Sequence, residues 1–379
     1  MLVRDVMSKN VLTLGPKDTV SKFVGLMEQH RAHEVPIVDG KKFLGIVHYK
    51  TIASKRFSDP SKEKLESLIT RIKALDEDNT LEEAADTIFQ AGFRAVPVCS
   101  GGNLTGIISV FDLLNAFSKR QDFKETAAEG IMSASEVISI DSDIGKARVL
   151  LREKNISRLP VVDAEGKLRG VVATFDLLKA VKPSEKMNWY SMAAEKETIM
   201  GVQISTIMND EPLTAEKQTR LSEIADMMVK YKDSGAVIVE DDAPVGVVTT
   251  RDMLEFYLSK REKKGAYVQI TGLGKEDAMA AATTDRMIRD SLQKISSFLP
   301  VQFLFLHVKR YEKGGKTKYS VRVRLMTDKG IFISRAMGWD LRDAAGQALD
   351  EIEKIIIRDK ERKRDKNIHR NRATKISEE

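Results

Sequence analysis

The chain has 379 residues, 42% of them hydrophobic and 31% charged, which suits soluble globular domains and excludes wholesale disorder. The one cysteine, Cys99, excludes an internal disulfide and thiolate metal clusters, and points to a reducing, cytoplasmic compartment. The net charge of +6 hides a split: residues 261–379 hold 27 Lys and Arg against 17 Asp and Glu, a net of +10, which leaves −4 for residues 1–260. Such an asymmetry directs a polyanion to the C-terminal part. No apolar run reaches the ~18–20 residues of a membrane span, and Met1-Leu2-Val3-Arg4-Asp5 leads into no signal-peptide core, so no membrane partner is expected. His30, His33, His48, His307 and His369 are too scattered to suggest a metal site.

In chain order, four segments repeat one pattern: a Met-Ser-like lead-in, a short strand, an amphipathic helix, two strands and a second helix. Each closes on a glycine, two apolar residues and a helix start: Gly45-Ile46-Val47-His48, Gly106-Ile107-Ile108-Ser109, Gly170-Val171-Val172-Ala173 and Gly246-Val247-Val248-Thr249. The glycines are 61, 64 and 76 residues apart. Upstream lie Val35-Pro36-Ile37, Val96-Pro97-Val98 and Leu159-Pro160-Val161; the fourth repeat has Ala236-Val237-Ile238, without the proline. Thr80 and Glu83 before Ala84, Ala85, Ile88 and Phe89 predict a capped amphipathic helix. Each unit is too small to bury a good core alone, so the repeats should pair.

These four motifs in register resemble the CBS domain family. The resemblance implies an α/β (α+β) chain with four CBS repeats forming two Bateman modules. One module is expected at 1–118 (repeats 1–54 and 68–118), the other at 126–258 (repeats 126–181 and 202–258). A linker is expected around 118–127. A longer insertion, 182–200, carries Trp189 and Tyr190, which are expected to dock on an adjacent surface.

After residue 265 the pattern changes to β-α-β-β-β-α. A strand at 267–273 precedes a helix near 276–297; strands follow at 301–311, 318–327 and 330–336, with a Gly314-Gly315 hairpin between the first two. The last helix places Leu341, Ala344, Ala345, Ala348, Ile352 and Ile355 at helical spacing. Val268-Gln269-Ile270-Thr271-Gly272, the strand 319–325 and the Asp340–Glu353 helix with its basic exit resemble the ribosome hibernation-promoting factor (S30AE, sigma-54 modulation) family. This domain is expected at 266–360, followed by a basic, flexible tail at 361–379.

In CBS proteins the hydroxyl and carboxylate of a Gly-apolar-apolar-[Ser/Thr]-x-x-Asp motif hold an adenine nucleotide. A hydroxyl and free amides at a helix start suit a phosphate, and a carboxylate can accept both hydroxyls of a ribose. The same residues can equally cap their own helix. The resemblance therefore nominates Thr249, Asp252 and Asp176 first, then Ser109 and Asp112, with AMP, ADP, ATP or an adenosyl compound as cofactor. Repeat three has Ala173 where the hydroxyl should be; repeat one, with His48 and Thr51, is degenerate.

In the strand 319–325, Tyr319, Val321, Val323 and Leu325 alternate with Ser320, Arg322 and Arg324, predicting one apolar and one basic face. Lys309, Arg310, Lys316, Lys318 and Arg335 lie on neighbouring strands or their loops, and Arg358, Arg362, Lys363 and Arg364 begin a tail (358–372) with eight basic residues against three acidic. These are the candidate RNA contacts; a solvated charged surface is the other reading.

No Walker loop, Gly-x-Ser-x-Gly or His-Glu-x-x-His is present, so no enzyme is expected. Together the readings give a cytoplasmic, ribosome-associated factor that inhibits translation in hibernation, bound to small-subunit rRNA through its C-terminal domain, with a nucleotide-sensing CBS region that is a candidate for further ribosomal contacts and for homodimer formation. The rival is a nucleotide-responsive regulator of another protein or of DNA, its C-terminal domain serving dimerisation; the missing helix-turn-helix signature weakens DNA.

Overall fold

The computed structural model describes residues 1–30, 32–54, 57, 59–180, 200–260, 267–273, 278–297, 299–313, 316–327 and 330–376. Trp189 and Tyr190, expected to dock on a neighbouring surface, lie outside them.

Repeat one comprises α1 (Val20–His30), β1 (Glu34–Asp39), β2 (Lys42–His48) and α2 (Tyr49–Ser54). Repeat two has α3 (Leu81–Ala91), β3 (Ala95–Ser100), β4 (Asn103–Ser109) and α4 (Val110–Phe117), and a short helix α5 (Gln121–Glu125) follows. Repeat three has β5 (Ser133–Ala134), β6 (Ile138–Ser139), α6 (Ile144–Glu153), β7 (Arg158–Val162), β8 (Leu168–Ala173) and α7 (Thr174–Ala180). Repeat four has β9 (Thr214–Glu216), α8 (Leu221–Tyr231), β10 (Gly235–Glu240), β11 (Ala243–Thr249) and α9 (Thr250–Ser259). The α3 start is the capping box read from the sequence: Glu83 accepts from the Thr80 amide at 2.7 Å and the Glu83 amide donates to the Thr80 hydroxyl oxygen at 3.2 Å. Its face of Ala84, Ala85, Ile88 and Phe89 is buried, and Gly92 ends it in the left-handed conformation.

The repeated glycine has one physical cause in all four hairpins. Gly45, Gly106, Gly170 and Gly246 stand opposite Ile37, Val98, Val161 and Ile238, each beside a β-bulge. Over each glycine runs the lead-in of the other repeat of the pair. A Cβ on Gly106 would lie 2.6 Å from Met7 Sδ, and one on Gly45 would lie 2.6 Å from the Thr70 carbonyl oxygen. In the second pair, Gly246 meets Met132 and Gly170 meets Met208 and Asn209. Repeats one and two, and repeats three and four, thus exchange their lead-in strands reciprocally, which is why they come in pairs.

The two pairs are joined by packing, and the expected linker is part of it. Phe123 of α5 is fully buried, 5.9 Å from the Phe117 ring and 5.3 Å from Phe256. Phe117 stacks on Tyr257 at 3.7 Å, so repeats two and four share one hydrophobic cluster.

The C-terminal domain is a sheet of order β12 (Tyr267–Thr271), β13 (Val301–Lys313), β14 (Lys316–Thr327), β15 (Gly330–Gly338) with helices α10 (Ala278–Ser296) and α11 (Leu341–Ile376). The first pairing is parallel and the others antiparallel. Leu304, Leu306, Val308, Val321, Val323 and Leu325 on one sheet face pack with Ile288, Ile295, Leu341, Ala345, Ala348 and Ile352 of the helices. Residues 361–376, read from the sequence as a flexible tail, continue α11 as helix. Among the described residues no helix is long and apolar enough to cross a membrane.

The crossing of lead-in over glycine predicts a contrast between two Gly→Ala changes. In Gly170→Ala the new methyl would stand 2.7 Å from the Asn209 carbonyl oxygen. It should lower stability by about 1–3 kcal/mol, the usual cost of overpacking. Gly25, exposed on α1 with open space around its Cβ position, should gain up to about 1 kcal/mol as Ala. Denaturant unfolding of the two variants checks both signs.

Candidate functional site

At the start of α9, Asp252 Oδ2 accepts from both the amide and the hydroxyl of Thr249, each at 2.7 Å. The Asp252 amide donates back to the Thr249 hydroxyl oxygen at 3.3 Å. Ser109 and Asp112 make the same box at the start of α4, at 2.7, 2.6 and 3.3 Å. In repeat three the amide of Ala173 donates to Asp176 Oδ2 at 2.8 Å. In repeats two, three and four, then, the motif's carboxylate caps its helix with one oxygen and leaves the other for a second partner. Asp176 lies in the first turn of α7, whose Leu177 packs in the repeat-three cluster.

The second oxygen separates repeat two from repeat four. Asp112 is half-buried and makes no ion pair among the described residues. Asp252 is 3% exposed, and its Oδ1 accepts from Arg324 Nη1 of the C-terminal domain. Arg324 also lies 3.0 Å from Glu255 Oε2, and its Nη2 donates to the Ile131 carbonyl. Beside it Arg322 Nη2 donates to Ser133 Oγ at 2.8 Å.

These contacts belong to a continuous interface that corrects the expectation of an open basic face. Arg322 and Arg324 do alternate with apolar residues, but their side of the sheet is covered by the CBS repeats. Arg335 reaches Glu136 at 3.4 Å, Lys309 donates to the Ile156 carbonyl at 3.3 Å, and Tyr311 donates to the Arg152 carbonyl at 3.4 Å. Asn155 donates to the carbonyls of His307 and Ser320, both at 3.3 Å. Phe303, Phe305 and Met326 leave their own domain's core and join the cluster of repeats two and four. Phe305 meets Phe89 at 5.0 Å, with the Arg251 guanidinium 4.2 Å over that same ring.

Of the other candidate RNA contacts, Lys316 is exposed, Arg310 half-buried, and the Lys318 ammonium sits 5.5 Å over the Trp339 ring. Arg358 is largely exposed, 3.8 Å from Glu351. Arg362, Lys363 and Arg364 lie on α11, with side chains outside the described residues.

Burial opposes the charge on Asp252, yet Arg324, Arg322 and the Thr249 bonds hold its carboxyl below the usual aspartate value. Burial pushes the Arg322 guanidinium down to about 10, with Arg324 adding to that depression against the pull of Asp252. Three cations (Arg251, Arg322 and Arg324) thus crowd two carboxylates, Asp252 and Glu255.

Sequence reading missed a second polar cluster, where residues just before or at the first strand of each hairpin converge. Arg94 Nη1 lies 2.7 Å from His33 Nε2, and the Arg94 amide donates to Glu34 at 3.0 Å. Arg158 pairs with Asp233 and donates to Ser234 Oγ at 2.7 Å. Burial and then Arg158 lower the Arg94 guanidinium, so two cations face one another at this junction. The signal was positional: His33, Arg94 and Ser234 occupy the same place in their repeats. Among the described residues no group of three or more His, Cys, Asp or Glu side chains is arranged to hold a metal ion.

Four stretches, 3–57, 65–119, 128–183 and 204–259, match the CBS domain family, and residues 267–375 match the family described as hibernation factor Hib, C-terminal domain. The uncharacterized protein MJ1404 of Methanocaldococcus jannaschii is 29% identical over 336 residues, covering 87% of this chain and 79% of its own. Inosine-5'-monophosphate dehydrogenase of Staphylococcus aureus is 26% identical over 176 residues, 46% of this chain but 36% of the enzyme, so its catalytic activity does not transfer. The crystal structure of protein MJ1225 from M. jannaschii shares the fold, with a TM-score of 0.55 at 21% identity over 68% of this chain and 100% of its own. The chain belongs to the CBS domain family, carrying four CBS domains followed by a hibernation factor Hib C-terminal domain.

Proposed function

We propose that this protein is a ribosome-associated hibernation factor that inhibits translation and whose CBS region senses an adenine nucleotide. The observation that carries this reading is the Hib domain at 267–375 sitting in the stretch where the chain turns from −4 to +10. Phosphate contacts from such a domain attract rRNA without needing base-specific readout. In the docked arrangement the helices carry outward-facing cations, the Arg289, Arg342 and Arg358 side chains being 71%, 60% and 71% exposed, and Lys316 of β14 is exposed as well. By sequence, the exit of α11 carries the further cations Arg362, Lys363 and Arg364. The chemistry of the CBS region is that of the Ser109 and Asp112 cap: a helix start with a hydroxyl and a carboxylate, suited to a phosphate and a ribose diol.

Full-length protein should co-sediment with small ribosomal subunits on a sucrose gradient. Changing Arg358, Arg362, Lys363 and Arg364 to Glu should weaken that binding and flatten its salt dependence, by roughly one unit of log–log slope for each phosphate no longer neutralised. Parent-like binding by this variant at ~0.15 M salt would mean the basic helix is only a solvated surface.

The repeat-two cap predicts nucleotide binding to the full chain. Titration calorimetry with AMP, ADP, ATP and an adenosyl compound should detect at least one ligand, and Asp112→Ala should weaken it by about 1.5–3 kcal/mol, as for hydrogen bonds to a charged group. If none of the four binds, capping is the motif's whole role.

A further inference from the structure

We infer that Arg324 on Asp252 is a latch: an adenine nucleotide entering repeat four and the docked C-terminal domain compete for one carboxylate, so the nucleotide frees the sheet face. This rests on the proposed nucleotide sensing and names how that sensing would reach the C-terminal domain.

The competition follows from atoms already placed. Asp252 has two oxygens: Oδ2 is bound by Thr249 and Oδ1 by Arg324. A ribose diol needs Oδ1, and cannot have it while Arg324 is there. Nor is the space open, because Arg324 also reaches the Ile131 carbonyl and Arg322 reaches Ser133. The two arginines thus fill the gap between the lead-in of repeat three and the start of α9. Repeat two carries the same Ser-x-x-Asp box with no such cation among the described residues, so occlusion is a property of repeat four rather than of the motif.

The interface is also built to open. A permanent interface of this depth would be expected to satisfy its buried polar atoms. Here both side-chain polar atoms of Gln269, and Nε of Arg322, Arg324 and Arg335, are buried without a hydrogen-bond partner among the described residues. Three cations, Arg324 fully buried and Arg251 and Arg322 half-buried, face two carboxylates and leave an excess of positive charge, a cost that opening to water relieves. Phe303, Phe305 and Met326 supply the opposing attraction. Docking is a balance of large terms, which is the condition for a ligand of modest affinity to tip it. What release exposes is the strand face bearing Lys309, Arg322, Arg324 and Arg335, the cations read from the sequence as RNA contacts.

The test uses the full chain, with ATP, ADP and AMP as probes, in an Asp112→Ala background that removes the repeat-two carboxylate. Two readouts are taken: calorimetry for binding, and hydrogen exchange of β13 and β14 with mass spectrometry for docking. Arg324→Ala should tighten nucleotide binding at least tenfold, because the competent state is no longer taxed by docking. Saturating nucleotide should raise exchange in β14 of the Asp112→Ala protein. Arg324→Lys, which keeps a cation but loses the fork, should fall between the two and covers the case in which the Ala variant does not fold. Should nucleotide bind equally to parent and Arg324 variants, or should it protect β14 further, the latch is wrong while nucleotide sensing stands. If neither variant nor parent binds any probe, and Asp112-intact protein also binds none, the sensing reading fails and takes the latch with it.

Discussion

A four-stranded sheet with both of its helices on one side has a second face that must be wet or covered. In this protein it is covered, and the arrangement of the whole chain follows from how. Strand alternation puts Val321, Val323 and Leu325 under the helices, so Ser320, Arg322, Arg324 and Met326 must point the other way. That second face carries guanidinium groups, and burying it demands carboxylates and carbonyls opposite them. The CBS repeats provide Asp252, Glu255, Glu136 and the carbonyl of Ile131. Removing Arg324 alone would leave Asp252 Oδ1 without its cation and Glu255 with Arg251 only; removing Asp252 alone would leave Arg324 with Glu255 and the Ile131 carbonyl. The two halves of the chain are therefore coupled electrostatically through a small number of atoms.

The repeats were legible in the sequence because their signals are local and sterically strict. Where an added Cβ would come within 3 Å of a neighbouring backbone, as at Gly45 and Gly170, only glycine fits, so the residue must recur in register. The capping boxes were legible for a similar reason: Thr249 and Asp252 satisfy each other within one turn and owe nothing to distant contacts. The last helix of the C-terminal domain could be read from periodicity alone, and Ile352 is fully buried where that spacing puts it.

The covered sheet face was not legible in the same way. Alternation of Arg with Val looks identical whether the arginines meet water or meet carboxylates from another part of the chain. Two signals did point to burial. Phe303 and Phe305 share a face with His307 and Lys309, an arrangement a solvated basic surface has little use for. Met253, Leu254, Phe256, Tyr257 and Leu258 spread apolar residues around the helix Thr250–Ser259, the pattern of a buried helix, so Asp252 and Glu255 on it called for charged partners. Neither signal names the partner, because the pairing of Asp252 with Arg324 spans 72 residues of sequence.

The charge split between the halves takes on a different meaning in this light. Counted along the sequence, residues 261–379 offer +10 to any polyanion. In the folded chain part of that charge is directed inward: Arg324 to Asp252 and Glu255, and Arg335 to Glu136. The mildly acidic CBS region is thus more than an inert companion to a basic domain, since some of its carboxylates neutralise that domain's cations from within. The field that the C-terminal domain presents to a polyanion is set by composition and docking together. Long-range attraction falls off over roughly 8–10 Å at physiological salt, so cations held under the CBS repeats contribute far less to capture than the same cations on a bare strand. A chain that changes how many arginines it shows changes its affinity for a polyanion without changing its sequence or its net charge.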